Sequence, residues 1–252
     1  DVYKRQLGCY GGGALRGAPT PRIDSLSTQG IKFLNFNVES DCVPTRGALM
    51  TGRQAIRTGA FQSTPAGLPQ GLTRWEKMLS ELLSEAGYST GLFGKWHLGD
   101  SEKRLPIERG FDEWYGLPRT MNEALFTTGT NYDPEVLENP YIMAGKRGGK
   151  AQNVKVLDLE SRRLIDREIV EHTIDFMKRK KEEDNPFFAY VPITQMHFPN
   201  LAHPDFVGYT GHGEMADSLA EMDYNVGNLI DAIDELELTD NTILTVSYTH
   251  LR

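Results

Sequence analysis

The sequence has few cysteines, fewer basic than acidic residues and no long apolar runs. These features limit which kinds of protein it can be. Only two cysteines, Cys9 and Cys42, occur in 252 residues, so cysteine usage does not reveal the redox compartment. No apolar run is long enough to span a membrane. Lys and Arg number 27 against 35 Asp and Glu, and the net charge of −8 argues against a nucleic-acid-binding surface. A local basic pocket for an anionic substrate remains compatible with this balance.

The rest of the composition is that of an ordinary globular protein, 39% hydrophobic and 25% charged, long enough for one large domain or two small ones. No secretory signal peptide is visible. Hydrophobic periodicity alternates between helical and strand-like along the chain. It predicts helices near 21–29, 44–51, 73–86, 165–177 and 215–236. It predicts strands near 31–38, 88–93, 186–194 and 241–246.

Strands that alternate with helices indicate an α/β layered fold, in which helices flank a largely parallel, mixed sheet. Ligands bind such folds beyond the carboxyl ends of the strands, which is where residues 94–99 and His197 fall. Residues 100–157 show weak periodicity and many Gly, Pro and Asn, so we interpret them as a substrate-facing loop with little regular structure. Thr73 with Glu76 fits a capping box at the start of the third helix.

A short segment around Cys42 has the features of an anion-binding active site. It reads Cys-Val-Pro-Thr-Arg at 42–46. Pro44 suits the first turn of a helix, and the N–H groups of that turn favour an anion near Cys42. Arg46 would lie near the same turn, with a planar fork that matches tetrahedral oxyanions. The plain alternative is a buried structural cysteine at a helix start.

Two further motifs carry a lysine and two histidines. Gly-Lys-Trp-His-Leu-Gly at 94–99 places Lys95 and His97 at alternate positions of an extended segment, so both can face one side. The lysine supplies positive charge, and the histidine can move a proton near neutral pH. His197, within His-Phe-Pro, follows the strand at 186–194. Taken alone, the first pair also fits an exposed surface pair and His197 also fits a structural histidine.

Together these motifs resemble the signature of type I sulfatases, within the alkaline-phosphatase-like superfamily. The resemblance covers nearly all of residues 7–246 and includes Leu-Gly-Cys-Tyr-Gly-Gly, Pro-Thr-Pro-Arg-Ile-Asp and Gly-Phe-Asp-Glu-Trp-Tyr-Gly. Thr45 stands where serine is commoner and Val43 is bulkier than usual, but the Cys-x-Pro-x-Arg core is intact. We therefore expect a truncated sulfatase catalytic domain at 7–246. The ends, 1–6 and 247–252, resemble translated sequencing adapter and are expected to be non-native.

The resemblance implies that Cys42 is oxidised to formylglycine by a formylglycine-generating or other sulfatase-maturating enzyme. The aldehyde hydrate would then attack the sulfur of a sulfate ester and expel an alcohol. Arg46 would orient the hydrate, and Lys95 would bind a sulfate oxygen. His97 would accept a proton as sulfate leaves, and His197 would assist the departing alkoxide.

A calcium ion, Ca2+, is also implied, to neutralise the sulfuryl oxygens and to lower the pKa of the hydrate. The family's Asp-Asp pair would precede Leu7, and its Asp-Asn pair would follow the strand that begins near Thr242. Asp240 and Asn241 precede that strand and do not substitute for the pair. Of the family's calcium ligands, only Cys42 as formylglycine is therefore present.

The resemblance thus implies a sulfuric ester hydrolase that acts on a small-molecule or carbohydrate sulfate ester, with a periplasmic or secreted location. Two alternatives stay open. One is a phosphonate or phosphate ester hydrolase of the same superfamily, which can share the Cys-x-Pro-x-Arg core. The other is a catalytically inactive fragment, which the missing acidic ligands favour. Neither nucleic acid nor a membrane is an expected partner.

Overall fold

A computed structural model of the chain describes residues 6–63, 71–101 and 103–247. The ends that we expect to be non-native, residues 1–6 and 247–252, lie outside the described residues except for Gln6 and Ser247. The described chain contains five α-helices: α1 (Pro21–Gln29), α2 (Cys42–Thr51), α3 (Leu79–Glu85), α4 (Leu159–Glu182) and α5 (Glu214–Glu235). It also contains five β-strands: β1 (Ser89–Lys95), β2 (Glu113–Leu117), β3 (Tyr141–Lys146), β4 (Gln152–Val156) and β5 (Phe187–Tyr190). None of the described helices is long and apolar enough to cross a bilayer.

The chain divides into two compact units. Of the described residues, the larger unit draws on 38–194, and the smaller draws on 6–37 and 195–247. The larger unit holds the whole sheet, in the order β4-β3-β2-β1-β5. β1 pairs in parallel with β2 and β5, while β3 runs antiparallel to β2 and β4. The expected α/β fold with a mixed, helix-flanked sheet is confirmed, and its parallel part is the β2-β1-β5 side.

The central strand β1 is buried along its whole length, because helices cover the sheet on both faces. Successive side chains point to opposite faces, so neighbours in β1 enter different parts of the core. Leu92 packs with Trp96, Phe111 and Met78 in one apolar cluster. Phe93 packs in a second cluster, against residues that include Phe176 of α4. This double burial fixes the register of the strand that ends at Lys95.

The smaller unit is built on α1 and α5. The carboxylate of Asp223, on α5, accepts hydrogen bonds from the N–H groups of Arg22 and Ile23 at 3.1 Å and 2.9 Å. It thereby satisfies donors in the first turn of α1, which would otherwise have no partner within the helix. Ile23 also packs with Leu219 and Met222 of α5 in an apolar cluster. The predicted helices at 21–29 and 215–236 are thus confirmed.

Two predicted strands do not form. Residues 31–38 have no regular strand structure, and Ile31 and Leu34 are 86% and 81% exposed. Apolar alternation gives a strand only where a ladder partner and a buried face are both present, and neither is found for this segment among the described residues. The segment at 241–246 also lacks strand structure: residues Thr239–Asn241 form a 3-10 turn, and Ile243 is 95% exposed.

The prediction for residues 100–157 as mainly loop was wrong, because the segment contributes β2, β3 and β4. The capping box at Thr73 and Glu76 was also wrong. α3 starts at Leu79, and the carboxylate of Glu81 accepts a 2.8 Å hydrogen bond from the N–H of Met78. Thr73 and Glu76 instead form a turn before the helix, closed by a 3.2 Å backbone hydrogen bond.

Candidate active site

Cys42 and Lys95 meet where a helix begins and a strand ends. Cys42 is the first residue of α2, and its N–H donates to the carboxylate of Asp41, which caps the helix. Lys95 is the last residue of β1, and its Nζ lies 3.1 Å from Cys42 Sγ. Cys42 is 3% exposed and Lys95 is 1% exposed. The fold therefore holds a thiol and an ammonium group together, largely removed from bulk water.

The backbone at the end of β1 fixes the direction of Lys95. Its N–H donates to the carbonyl of Pro192 at 3.0 Å, which continues the contact between β1 and the chain after β5. Gly94 adopts φ 131°, and a Cβ there would lie 2.2 Å from the same carbonyl oxygen. Only glycine permits this close approach of two backbones. The glycine of the motif thus serves to position the lysine that follows it.

Arg46 lies one turn after Cys42 on α2, and its guanidinium holds the end of β1. Nη1 donates to the backbone carbonyl of Lys95 and lies 3.4 Å from the hydroxyl of Tyr190, on β5. Its Nε is buried and has no hydrogen-bond partner among the described residues. A buried donor without a partner costs free energy, so an acceptor that enters the site beside Arg46 would be stabilised there.

The electrostatics of Lys95 are shaped mainly by its burial. Loss of hydration and, to a smaller extent, the positive charge of Arg46 lower the pKa of Lys95, while Cys42 opposes the shift, and the resulting pKa is about 8. The Nζ group also donates to Thr120 Oγ1 at 3.2 Å. Lys95 is therefore a cation in neutral solution. An anion bound beside it would favour the charged form and raise its pKa.

His97 is also buried, but its backbone is not extended. It is 5% exposed, and its N–H donates to the carbonyl of Pro118 at 3.0 Å. Its φ of 59° lies in the left-handed region, so the chain turns at this residue. The extended segment expected to carry both Lys95 and His97 therefore ends before His97. His97 is nevertheless held firmly against the chain that follows β2.

His197 lies in the smaller unit, whereas the other predicted site residues lie in the larger one. Its side chain is half-buried, and its Nδ1 lies 2.8 Å from the carbonyl oxygen of Phe198. Within the larger unit, the structure brings Cys42, Arg46 and Lys95 together through direct contacts.

Sequence analysis missed two hydroxyl groups that contact this cluster, those of Thr120 and Tyr190. Thr120 follows β2, so the rule that ligands bind at the carboxyl ends of strands would have found it if β2 had been recognised. Tyr190 lies opposite Leu92 in the β1–β5 ladder, a pairing that no local sequence pattern reveals.

The donors around Cys42 do not fit a calcium ion by themselves. Calcium takes about six to eight oxygen ligands, and carboxylates supply most of the compensating charge. Here the ammonium group of Lys95 faces Cys42 Sγ, and the carboxylate of Asp41 is engaged with a backbone N–H. In residues 6–63, 71–101 and 103–247, no group of three or more His, Cys, Asp or Glu is placed to hold a metal ion.

Comparison with known proteins decides the family. The profile of the sulfatase family matches residues 1–247. The chain belongs to the sulfatase family. It is 30% identical over 260 residues to N-acetylgalactosamine-6-sulfatase of Canis lupus familiaris, a match that covers 97% of this chain and 47% of that protein. It is 32% identical over 260 residues to arylsulfatase A of Homo sapiens, covering 97% and 49%.

The fold of this chain also matches solved structures. The PsFucS1 sulfatase from Pseudoalteromonas sp. superposes with a TM-score of 0.86 and is 30% identical, covering 94% of this chain and 50% of that one. The chain thus spans about half the length of the relatives that it matches.

Proposed function

We propose that this chain carries the nucleophile and the anion-binding residues of a sulfuric ester hydrolase. The observation that carries the proposal is the 3.1 Å approach of Lys95 Nζ to Cys42 Sγ, at the first residue of α2. A helix start and a buried ammonium group both favour negative charge at that point. Family membership supports the choice of sulfate ester as the anion.

Cys42 is suitably placed to become formylglycine, whose hydrate supplies an oxygen nucleophile for attack on sulfur. In the proposed arrangement, Lys95 binds an oxygen of the sulfuryl group and offsets its charge. Arg46 orients the substrate and the side chain at position 42 through its buried Nε, which has no partner in the described chain. Preorganised donors of this kind stabilise the charge that develops in the transition state.

The two histidines complete the proposed chemistry as proton carriers. His97 accepts a proton as sulfate leaves, and His197 assists the departing alkoxide. The proposed roles rest on the family resemblance of their motifs, and the buried position of His97 after Lys95 supports its share. A formylglycine-generating enzyme is the proposed maturation partner, because the Cys-x-Pro-x-Arg core is complete at 42–46.

We further propose that the ester is borne by a carbohydrate. N-acetylgalactosamine-6-sulfatase is named for a sulfated amino sugar, which supports this substrate class for the present chain. A phosphate or phosphonate ester remains the second candidate, because a buried ammonium group and a guanidinium suit any tetrahedral oxyanion.

The test uses the protein extended to its native reading frame and matured by co-expression with a formylglycine-generating enzyme. An aryl sulfate, an aryl phosphate and an aryl phosphonate monoester are assayed in parallel, with Cys42→Ala as the control. We expect hydrolysis that depends on Cys42 and a kcat/KM that is highest for the sulfate ester. A higher kcat/KM for the phosphate or phosphonate ester would establish the second candidate instead.

A further inference from the structure

Arg119 joins two carboxylates that belong to different segments of the larger unit. Its Nε donates to Oε1 of Glu123 and its Nη1 donates to Oδ2 of Asp100, both at 2.7 Å. Asp100 lies in the loop after β1, whereas Glu123 lies in the 3-10 helix Met121–Thr128 that follows β2. The side chains of Arg119 and Glu123 are only 23% and 7% exposed. We name this set, Asp100, Arg119 and Glu123, the Arg119 bridge.

Electrostatics make the Arg119 bridge stronger than an ion pair on the open surface. Its hydrogen bonds are charge-assisted and short, and water is partly excluded from them. Burial by itself would lower the pKa of Arg119, but the bonds to Glu123 and Asp100 raise it above the ordinary value. Burial raises the pKa of Glu123, and the bond from Arg119 opposes that rise. Without Arg119, the buried carboxylate of Glu123 would lose its cation, so it would take up a proton or move toward water.

The residues on either side of Arg119 contact the two motif residues at the end of β1. Thr120 Oγ1 accepts a hydrogen bond from Nζ of Lys95 at 3.2 Å. The carbonyl of Pro118 accepts one from the N–H of His97 at 3.0 Å. A movement of the chain at Arg119 would therefore disturb the surroundings of both Lys95 and His97.

Backbone hydrogen bonds alone hold this stretch weakly. β2 ends at Leu117, and Pro118 has no N–H to donate. Neither Arg119 nor Thr120 uses its N–H in a backbone hydrogen bond within the part of the chain that the structure describes. The Arg119 bridge therefore supplies a constraint that the strand ladder no longer provides here.

From these contacts we infer that Arg119 is a positioning residue for the two motif residues Lys95 and His97. It acts through the segment that it ties down and does not itself touch the substrate. Its importance for catalysis rests on the proposed function, whereas the constraint on the segment rests on the contacts alone. Catalytic groups displaced by about 1 Å can lose roughly a hundredfold in rate. Even a small movement of this segment should therefore lower kcat.

Hydrogen exchange in the unmatured 252-residue chain tests the constraint without any catalysis. The N–H of His97 is the probe, because it donates to the carbonyl of Pro118 across the two segments. Arg119→Met keeps an apolar side chain of similar length and removes the charge. We expect this variant to speed the exchange of the His97 N–H roughly tenfold, since loss of the bridge makes local opening of the segment easier. NMR measures the exchange of this single amide.

Arg179→Met is the matched control. Arg179 also joins two carboxylates of the larger unit, since it donates to Glu113 at 2.8 Å and to Asp175 at 3.0 Å. Glu113 is the first residue of β2, so this second bridge lies at the other end of that strand. Arg179→Met should lower the thermal stability much as Arg119→Met does, but it should leave the exchange of the His97 N–H unchanged.

Kinetics in the matured, extended protein test the catalytic consequence. Arg119→Met should lower kcat on an aryl sulfate roughly tenfold, with KM changed less than about threefold, because alignment is more critical in the transition state than in the bound substrate. Arg119→Lys keeps the charge but reaches only one of the two carboxylates at a time, so it should recover part of the loss. Arg179→Met should keep the parent kcat.

A double variant separates positioning from the burial of an unpaired charge. Arg119→Met combined with Glu123→Gln removes both charges, so no buried carboxylate is left without a cation. We expect the kcat of this double variant to stay low, because the tie between the segments after β1 and β2 is still absent. Recovery of the parent kcat would mean that the loss came from the unpaired charge alone, and it would overturn the inference.

Unchanged exchange of the His97 N–H in Arg119→Met would also overturn the inference, as would an equal loss of kcat in Arg179→Met. A large rise in KM with kcat kept would do the same, because Arg119 would then bind the substrate directly. A parent protein with no sulfatase activity would instead refute the proposed function, while the exchange of the His97 N–H would still decide whether Arg119 holds the segment.

Discussion

The ammonium nitrogen of Lys95 lies 3.1 Å from the sulfur of Cys42, in a site where both residues are buried. The group at position 42 therefore influences the pKa of Lys95, which burial mainly sets, and Lys95 in turn favours negative charge at position 42. This reciprocal relationship between two residues leads to predictions about maturation, stability and catalysis.

Cys42 should be converted to formylglycine when the chain is co-expressed with a formylglycine-generating enzyme. Mass spectrometry should show the loss of thiol mass in the tryptic peptide that carries Cys42, while Cys9 serves as the internal control and keeps its thiol. Because Cys42 is 3% exposed in the folded chain, conversion should be far lower when the enzyme is added after folding. An unmodified Cys42 peptide under full co-expression would contradict the prediction.

Lys95 should make the stability of the unmatured chain rise with pH above about 8. Burial lowers its pKa from the ordinary 10.5 to about 8, so between these values the unfolded chain binds more protons than the folded one. The free energy of unfolding should therefore gain roughly 3 kcal/mol across this range. The Lys95→Met variant has no titrating group at position 95, so its free energy of unfolding should lack this rise. Urea unfolding of both proteins at several pH values measures the difference.

The variant Cys42→Ala provides a second test of the pH dependence of stability that we assign to Lys95. Cys42→Ala removes the hydrogen bond and the electrostatic interaction that raise the pKa of Lys95, so the rise in stability should begin at lower pH. Groups elsewhere, such as Tyr115, titrate alike in all three proteins and cancel in the comparison. Parallel stability curves for the parent chain and Lys95→Met would show that Lys95 does not change its protonation on folding.

Arg46→Ala and His197→Ala should each lower kcat on an aryl sulfate roughly a hundredfold in the matured, extended protein. Each change removes a group proposed to act on developing charge, an effect often worth ~3 kcal/mol. Lys150→Ala, an exposed change between two strands, is the control and should keep the parent kcat. A kcat near that of the parent in either variant would refute the role proposed for that residue.

Elements with strong local signals were predicted well from the sequence. The amphipathic pattern of α5 and the proline and glycine that bound α1 are properties of short segments, so no distant contact was needed to find them. β2 was missed because it lies inside the sheet and all but its first residue are buried, which removes the alternation that marks a strand. Residues 31–38 show the opposite case, since they alternate but are exposed.

The site was predictable where its motifs are contiguous and not where it depends on pairing between distant strands. Cys42 and Arg46 share one turn of α2, and the glycine-rich segment delivers Lys95, so sequence analysis found all three. Thr120 and Tyr190 reach the cluster only because β1 lies between β2 and β5. That order is set by tertiary packing, and no segment of the chain encodes it alone.

The 252-residue chain should bind calcium weakly, whether or not Cys42 is matured. Calcium requires about six to eight oxygen ligands, and the part of the chain that the structure describes offers no cluster of acidic side chains for it. The cation already present beside Cys42, the ammonium group of Lys95, would also repel a second one. Lys95→Met should therefore bind calcium no more weakly than the parent chain.

Isothermal titration with calcium measures this directly, with the extended native protein as the positive control. We expect no saturable binding at micromolar calcium in the 252-residue chain, and little hydrolysis of an aryl sulfate by the same matured chain. The extended protein should bind calcium and turn over the ester, because it would supply the missing carboxylates. Micromolar binding together with turnover in the 252-residue chain would mean that its metal ligands lie among residues that we have not assigned to the site.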